Sequence, residues 1–154
     1  MDLPATEIRV ASSQEPTLPG ARDLEVVRVV DETPSARSFV LRDPTGAAID
    51  FVPGQFLTVE VTIDGTSLRR AYSISSLAGP ELVVTVKRVA GGQVSNYLND
   101  QLAVGASLRV FGPSGSFMAD PSEVGGRLVC IAGGSGITPI MAILRAWVAC
   151  GKAP

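Results

Sequence analysis

The chain has no histidine among its 154 residues. Imidazole base catalysis and imidazole metal ligation are therefore excluded. Its two cysteines, Cys130 and Cys150, cannot supply the four thiolates of an iron–sulfur cluster or a zinc site, and their spacing suits no redox pair. No metal site is expected. Cys130 falls in the apolar run Leu128 to Ala132, where a buried thiol is ordinary packing, and both thiols are expected reduced. Charge is also scarce, at 18% of residues with a formal net charge of −2. Without an excess of Lys and Arg to displace counterions, neither nucleic acid nor an anionic membrane surface is an expected partner. No apolar stretch approaches the roughly 20 residues of a membrane span; even Ile137 to Cys150 is broken by Arg145. The first residues include Asp2 and Glu7 and no apolar h-region, so no secretory signal is supported and a cytoplasmic chain is expected. Small molecules or another protein remain as partners.

A hydrophobic content of 45% with 16 glycines describes a turn-rich globular chain, long enough for one complete domain and too short for two of ordinary size. Residues 1–22, with Pro4, Pro16, Pro19 and Gly20 and no sustained period, predict a flexible leader. Strand patterns follow at Leu24 to Val30, Arg37 to Leu41, Phe56 to Ile63, Ser67 to Ile74, Glu81 to Val89 and Ser107 to Phe111. Leu57, Val59, Val61 and Ile63 alternate with Thr58, Glu60 and Thr62, and Asp64-Gly65 then supplies a hairpin turn. Six such strands predict a closed antiparallel barrel. Gln93 to Gln101 reads as a helix from the spacing of Val94, Tyr97, Leu98 and Leu102. After Phe117 the pattern changes. Arg127 to Ala132 is a continuous apolar strand candidate, followed by a glycine-rich turn and an amphipathic helix to about Cys150. Thr138 is expected as its N-cap, Pro139 as its first residue and Gly151 as its stop. A strand, turn and helix of this kind opens a parallel α/β sheet, which needs further strands on both sides to bury it.

Three segments carry chemistry. Arg69 to Ser76 places a cation, a phenol and several hydroxyls on one strand, and regular alternation puts Arg70 and Tyr72 on a common face. An aromatic ring beside an anion clamp suits a flat, phosphate-bearing cofactor; an ordinary edge strand is the alternative. Lys87 and Arg88 lead through Gly91, Gly92, Gln93 and Val94 to Ser95 at a helix start, where free N–H groups attract anions, although Ser95 also serves as a plain helix cap. Parity puts Arg88 after the inward residues Leu82, Val84 and Val86, so it needs either a bound anion or a fraying strand end. Gly133, Gly134, Ser135, Gly136, Ile137, Thr138 and Pro139 stand between strand and helix, the context of a dinucleotide phosphate turn, though a purely structural turn fits too.

With Phe51 to Phe56 (Phe, Val, Pro, Gly, Gln, Phe) and Gly112 to Phe117 (Gly, Pro, Ser, Gly, Ser, Phe), these segments resemble the ferredoxin reductase family. The likeness is greatest to the reductase components of oxygenases and hydroxylases, such as those of phenylacetate or ketosteroid breakdown. The resemblance implies a mainly β, six-stranded antiparallel flavin-binding barrel with one short helix over residues 23–118, then the first β-α unit of an incomplete nicotinamide-binding domain over 119–154. It implies FAD as cofactor, held by Arg70 on its phosphates, with Ala71, Tyr72 and Ser73 at the ring, Val86, Lys87 and Arg88, and Gly92, Val94 and Ser95 at the helix start. Gly134, Gly136 and Thr138 would meet NAD(P)H. Tyr72, Ser73 and Thr138 would be the catalytic residues, with the Ser73 hydroxyl near the reactive flavin nitrogen. That carry-over demands a bend or bulge beside Ser73, because strict alternation turns it away from Tyr72. The expected activity is hydride transfer from NAD(P)H to FAD, then single electrons to an iron–sulfur protein or oxygenase. A non-catalytic FAD-binding module is the alternative, and a barrel that binds a protein but no cofactor is a third.

Overall fold

A computed structural model describes residues 20–119 and 128–151. Six strands form one antiparallel sheet: β1 (Ala21–Thr33), β2 (Ala36–Arg42), β3 (Phe56–Ile63), β4 (Thr66–Ser73), β5 (Glu81–Lys87) and β6 (Ser107–Ser114). Helix α1 (Gln93–Gln101) follows β5, and α2 (Ile137–Ala149) lies after the glycine-rich turn. The spatial order is β4-β3-β6-β1-β2-β5. Alternation explains β3, whose Leu57, Val59 and Val61 are buried while Glu60 and Thr62 face outward. Its hairpin with β4 closes on Asp64 and Gly65, both at positive φ (50° and 75°), the backbone that a tight two-residue turn between right-twisted strands requires. Leu24, Phe39, Leu41, Leu57, Val84 and Val110 fill the centre, and Val94 and Leu98 of α1 belong to the same cluster. Among the described residues no helix is long and apolar enough to cross a membrane.

Several expectations are corrected. The barrel is not closed by a continuous ladder. Strands β4 and β5 are the sheet's two edges, joined at the isolated bridge Ile74↔Val84. Ala21 and Arg22, expected in the leader, pair with Phe111 and Val110 of β6; residues 1–19 of that leader lie outside the described residues. Register shifts at Val26/Arg28 and Asp31/Thr33 bend β1, which lets one long strand serve both β6 and β2. The strand expected at Arg127 to Ala132 is absent over 128–132, and Arg127 lies outside the described residues. Val129 and Ile131 are 82% and 89% exposed. A parallel-sheet strand takes its hydrogen bonds from neighbours on both sides, and no described segment pairs with this one. Helix α2 begins at Ile137 after a 3₁₀ turn over Gly134–Gly136. Thr138 is therefore inside the first turn rather than its N-cap, and Pro139 is the third residue rather than the first, a position whose missing N–H costs no intrahelical bond.

On the outward face of β3 the Glu60 carboxylate accepts from Arg69 Nε at 2.7 Å and Ser67 Oγ at 2.9 Å, with Arg109 Nε 3.7 Å away. The Arg69 guanidinium also lies 4.7 Å from the centre of the Phe111 ring. Burial pushes the Glu60 carboxyl up, but the hydrogen bonds from Arg69 and Ser67 and the charges of Arg69 and Arg109 outweigh it and hold the group below its ordinary range. A depressed folded-state pKa contributes stability above the unfolded value and loses it as pH falls through the folded one. Glu60→Gln should lower stability by about 1 kcal/mol at neutral pH, as for a partly exposed ion cluster, and should flatten the acid limb below about pH 4. Urea unfolding across pH 3–7 checks this, and an unaltered acid limb would contradict it.

Candidate functional site

The candidate site lies where the sheet fails to close. The antiparallel bridge Ile74↔Val84 sets β4 and β5 side by side, so that Tyr72 and Arg70 occupy one lip of the seam and Val86 and Lys87 the other. Helix α1 packs against β3, β4 and β5 and so closes the same region. Arg70 and Tyr72 pair directly with Val59 and Leu57, both fully buried, and directly opposed residues share a face of the sheet. The expected common face of Arg70 and Tyr72 is therefore the inward one. Tyr72 is half-buried against the core cluster. Arg70, on the edge, is exposed. Burial raises the phenol's pKa and the Arg70 charge lowers it, which places guanidinium and phenol within electrostatic reach of one another. Arg70 Nη1 donates to the Arg69 carbonyl at 2.7 Å. Among the described residues no carboxylate pairs with Arg70 or Lys87.

No bulge interrupts β4, whose pairing with β3 runs unshifted from Ile63↔Thr66 to Phe56↔Ser73. Ser73 thus shares a face with Phe56 and not with Tyr72. The change of direction comes one residue later, where the Ile74 N–H still bonds the Gln55 carbonyl (2.9 Å) while its side of the ladder passes to Val84. Ala71 pairs with Thr58 and is exposed on the outer face.

At the start of α1 the N-cap is Gly92, with no side-chain cap and no acidic residue in the first turn. Ser95 is not that cap. Its buried hydroxyl accepts from the Val89 N–H at 3.2 Å and lies 3.4 Å from the Gly92 carbonyl, so it is occupied in fastening the loop. The first-turn N–H groups remain the anion-seeking feature there. Val86 and Val94 are 0% and 2% exposed, and the Val86 carbonyl accepts from Asn99 Nδ2 at 3.2 Å, so both are core residues beneath the seam. Arg88 departs most from expectation. Strand β5 ends at Lys87, and the Arg88 guanidinium forks onto Asp100 at 3.1 and 2.5 Å. Asp100 keeps Arg88 charged, and Arg88 in turn holds the Asp100 carboxyl below its usual range, chiefly by hydrogen bonding. The strand-end relief anticipated for Arg88 is present, with a carboxylate partner that no local pattern announced. Arg88 also lines a polar cavity of about 340 Å³ with Asp31, Thr33, Arg37 and Asn99.

The second turn holds Gly134 at φ 57°, a left-handed backbone that favours glycine. A side chain at Gly133, Gly134 or Gly136 would meet nothing within 4 Å, so the turn's concave side is open. Thr138 Oγ1 donates to the Ser135 carbonyl at 2.8 Å and braces the turn. From α2, Arg145 Nη1 donates to the Ser75 carbonyl, joining this helix to the segment that leaves β4. Arg145 carried no motif in the sequence.

Two segments quoted from the sequence meet as structure. A Cβ at Gly54 would come 2.1 Å from the Phe117 carbonyl oxygen, and one at Gly115 would come 3.0 Å from the Phe56 ring. The 51–56 loop and the 112–117 turn are thus packed backbone to backbone beside the start of β3.

Residues 23–118 match the family described as the oxidoreductase FAD-binding domain. Relatives include a flavohemoprotein of Pseudomonas putida, 43% identical over 129 residues, covering 82% of this chain and 32% of that protein. Another is the ferredoxin reductase component of 3-ketosteroid-9-alpha-monooxygenase from Mycolicibacterium smegmatis, 42% identical over 145 residues, covering 89% and 40%. Among solved structures, the ferredoxin reductase in carbazole 1,9a-dioxygenase superposes with a TM-score of 0.74 at 32% identity, over 87% of this chain and 41% of that one. The FAD/NAD binding domain of nitric oxide dioxygenase from Vibrio cholerae gives 0.73 at 30%, over 86% and 59%. The chain spans about a third to two fifths of the length of these curated relatives.

The Gly54 contact makes a local prediction. Gly54→Ala combines a backbone clash with a positive φ of 104° and should cost at least about 2 kcal/mol. Gly46→Ala, at φ 78° in open space, should cost only about 1 kcal/mol. Equal midpoints for the two variants in urea unfolding would contradict the packing described.

Proposed function

The chain belongs to the family of oxidoreductase FAD-binding domains, and on that premise we propose that it holds FAD across the β4–β5 seam and serves in electron transfer from NAD(P)H. The observation that carries the reading is the donor set at the seam. An exposed guanidinium without a carboxylate partner and a half-buried phenol share one strand face, while an uncapped helix start packs against the same strands. Those groups fit a ligand with a flat ring at one end and phosphates at the other. Arg70, Lys87 and the N–H groups after Gly92 hold the phosphates; Tyr72 lies along the ring, while Ala71 faces the outer side. Ser73 stands at the end of the strand that borders the ring but is turned to the opposite face beside Phe56, and Val86 and Val94 belong to the buried core beneath the seam. When bound, the flavin supplies the hydride and electron chemistry, and the protein supplies position and electrostatics. Gly134 and Gly136 leave room for a nicotinamide cofactor's phosphates, and Thr138 keeps that turn in shape at the entrance to the ring.

Residues 23–118 act in this reading as the flavin domain and 119–154 as the start of the nicotinamide domain. The electron acceptor is an iron–sulfur or oxygenase component, as the relatives' names imply, and the compartment is the cytoplasm. Arg88, committed to Asp100, is at most a minor contributor. A second reading, an FAD-binding module without productive NAD(P)H binding, draws on the exposed, unpaired run at Val129 and Ile131.

The purified chain should carry, or take up, FAD and show flavin absorbance. A colourless protein that takes up no added FAD would overturn the reading. Arg70→Ala should weaken FAD affinity at least about 30-fold, the lower bound for truncating a charge-assisted contact, whereas Arg88→Ala should change it less than about threefold. Equal losses would remove the distinction drawn between the two arginines. Anaerobic bleaching of the flavin by NADH or NADPH separates the reductase from the binding module.

A further inference from the structure

We propose that Arg145 is a positioning residue that seats α2, and with it the Gly134–Thr138 turn, against the end of the strand carrying Arg70 and Tyr72. The inference rests on the reading above for its purpose but not for its geometry. Helix α2 buries Ile140, Ala142, Ile143, Ala146 and Trp147, none of which belongs to the barrel's core cluster. The helix therefore has packing of its own, and a directional bond between a charged and a polar group is what ties it to the end of β4.

Arg145 Nη1 makes that bond to the Ser75 carbonyl, and Ser75 is an unusually well-held acceptor. Its N–H bonds the Val83 carbonyl at 2.8 Å. Its hydroxyl lies 3.2 Å from Thr85 Oγ1, which lies 2.8 Å from Ser38 Oγ, and Ser38 donates to Glu32 at 2.6 Å. Three hydroxyls thus run across β5 and β2 to a carboxylate in β1, with Ser38 and Ser75 each 4% exposed. The chain of bonds fixes Ser75 to the body of the barrel, and Ser75 stands two residues beyond Ser73. A helix attached there is attached to the flavin strand itself.

The chain's single tryptophan is Trp147, 3% exposed on α2, so its emission reports whether the helix is seated. Arg145→Ala should shift Trp147 emission to the red, raise its quenching by acrylamide and speed hydrogen exchange of the α2 amides roughly tenfold, the order expected on losing a charge-assisted bond. Exchange in β1 to β6 should stay as in the wild type. Arg145→Lys, which keeps a cationic donor, should restore part of the protection. With FAD added, energy transfer from Trp147 to the flavin should fall in Arg145→Ala while FAD affinity holds. Unchanged emission, quenching and α2 exchange in Arg145→Ala would overturn the proposal, as would equal loss of protection throughout the barrel. Failure to bind FAD would overturn the functional reading alone, because the Trp147 and exchange measurements need no cofactor.

Discussion

A sheet of six antiparallel strands has two edges, and here the twist that brings those edges together stops short of pairing them. Among the described residues no ladder joins strands β4 and β5; the chain leaving β4 reaches β5 through the Ile74↔Val84 bridge and the bonds of Ser75 to Val83 and Thr85. The order of the strands, the placement of α1 and the exposure of Arg70 all depend on this seam. A continuous ladder would occupy the free backbone edge of β4 and leave no opening for a ligand between it and β5. Because β4 is an edge with no ladder to β5, its inward face keeps a phenol and a guanidinium where an interior strand would carry aliphatic side chains.

The remaining contacts hold the seam at a fixed width. On the outer face Glu60 gathers Arg69, Ser67 and Arg109 and stiffens β3 against both its neighbours. Below the seam, Ser95 and the Arg88–Asp100 fork attach the two ends of α1 to the loop after β5, so the helix start cannot drift from the strands it serves. The hydroxyl run from Glu32 to Ser75 performs the same task for the end of β4. Each tie is modest alone. They share members or neighbours, so loss of one loosens the next.

Much of this was legible in the residues. Alternation in Leu57 to Ile63, the Asp64-Gly65 turn and the spacing of Val94, Leu98 and Leu102 are local signals, and the elements they predict are present at nearly the expected positions. The common face of Arg70 and Tyr72 followed from the same period. What was not legible depends on partners distant in sequence. A strand pattern says which face is buried but not whether the two edge strands of a sheet pair, so it does not distinguish a closed barrel from one open between β4 and β5. Asp100 gave no sign that it would take Arg88, since the pair spans a loop and a helix. The apolar run before Gly133 carries a strand pattern without neighbours in the described structure to pair with it. The bend that a ring contact by Ser73 demands is not present, because β3 holds β4 in register through Ser73 and the chain changes direction only at Ile74.

The central claim is that the β4–β5 seam and the start of α1 together hold FAD. Hydrogen exchange of the purified chain with and without added FAD tests it most directly. Protection gained in residues 70–76 and 91–96, with the β1–β2 hairpin unaffected, is the predicted result. Protection confined to the cavity between Asp31, Arg37 and Asn99, or no protection at saturating FAD, would contradict it.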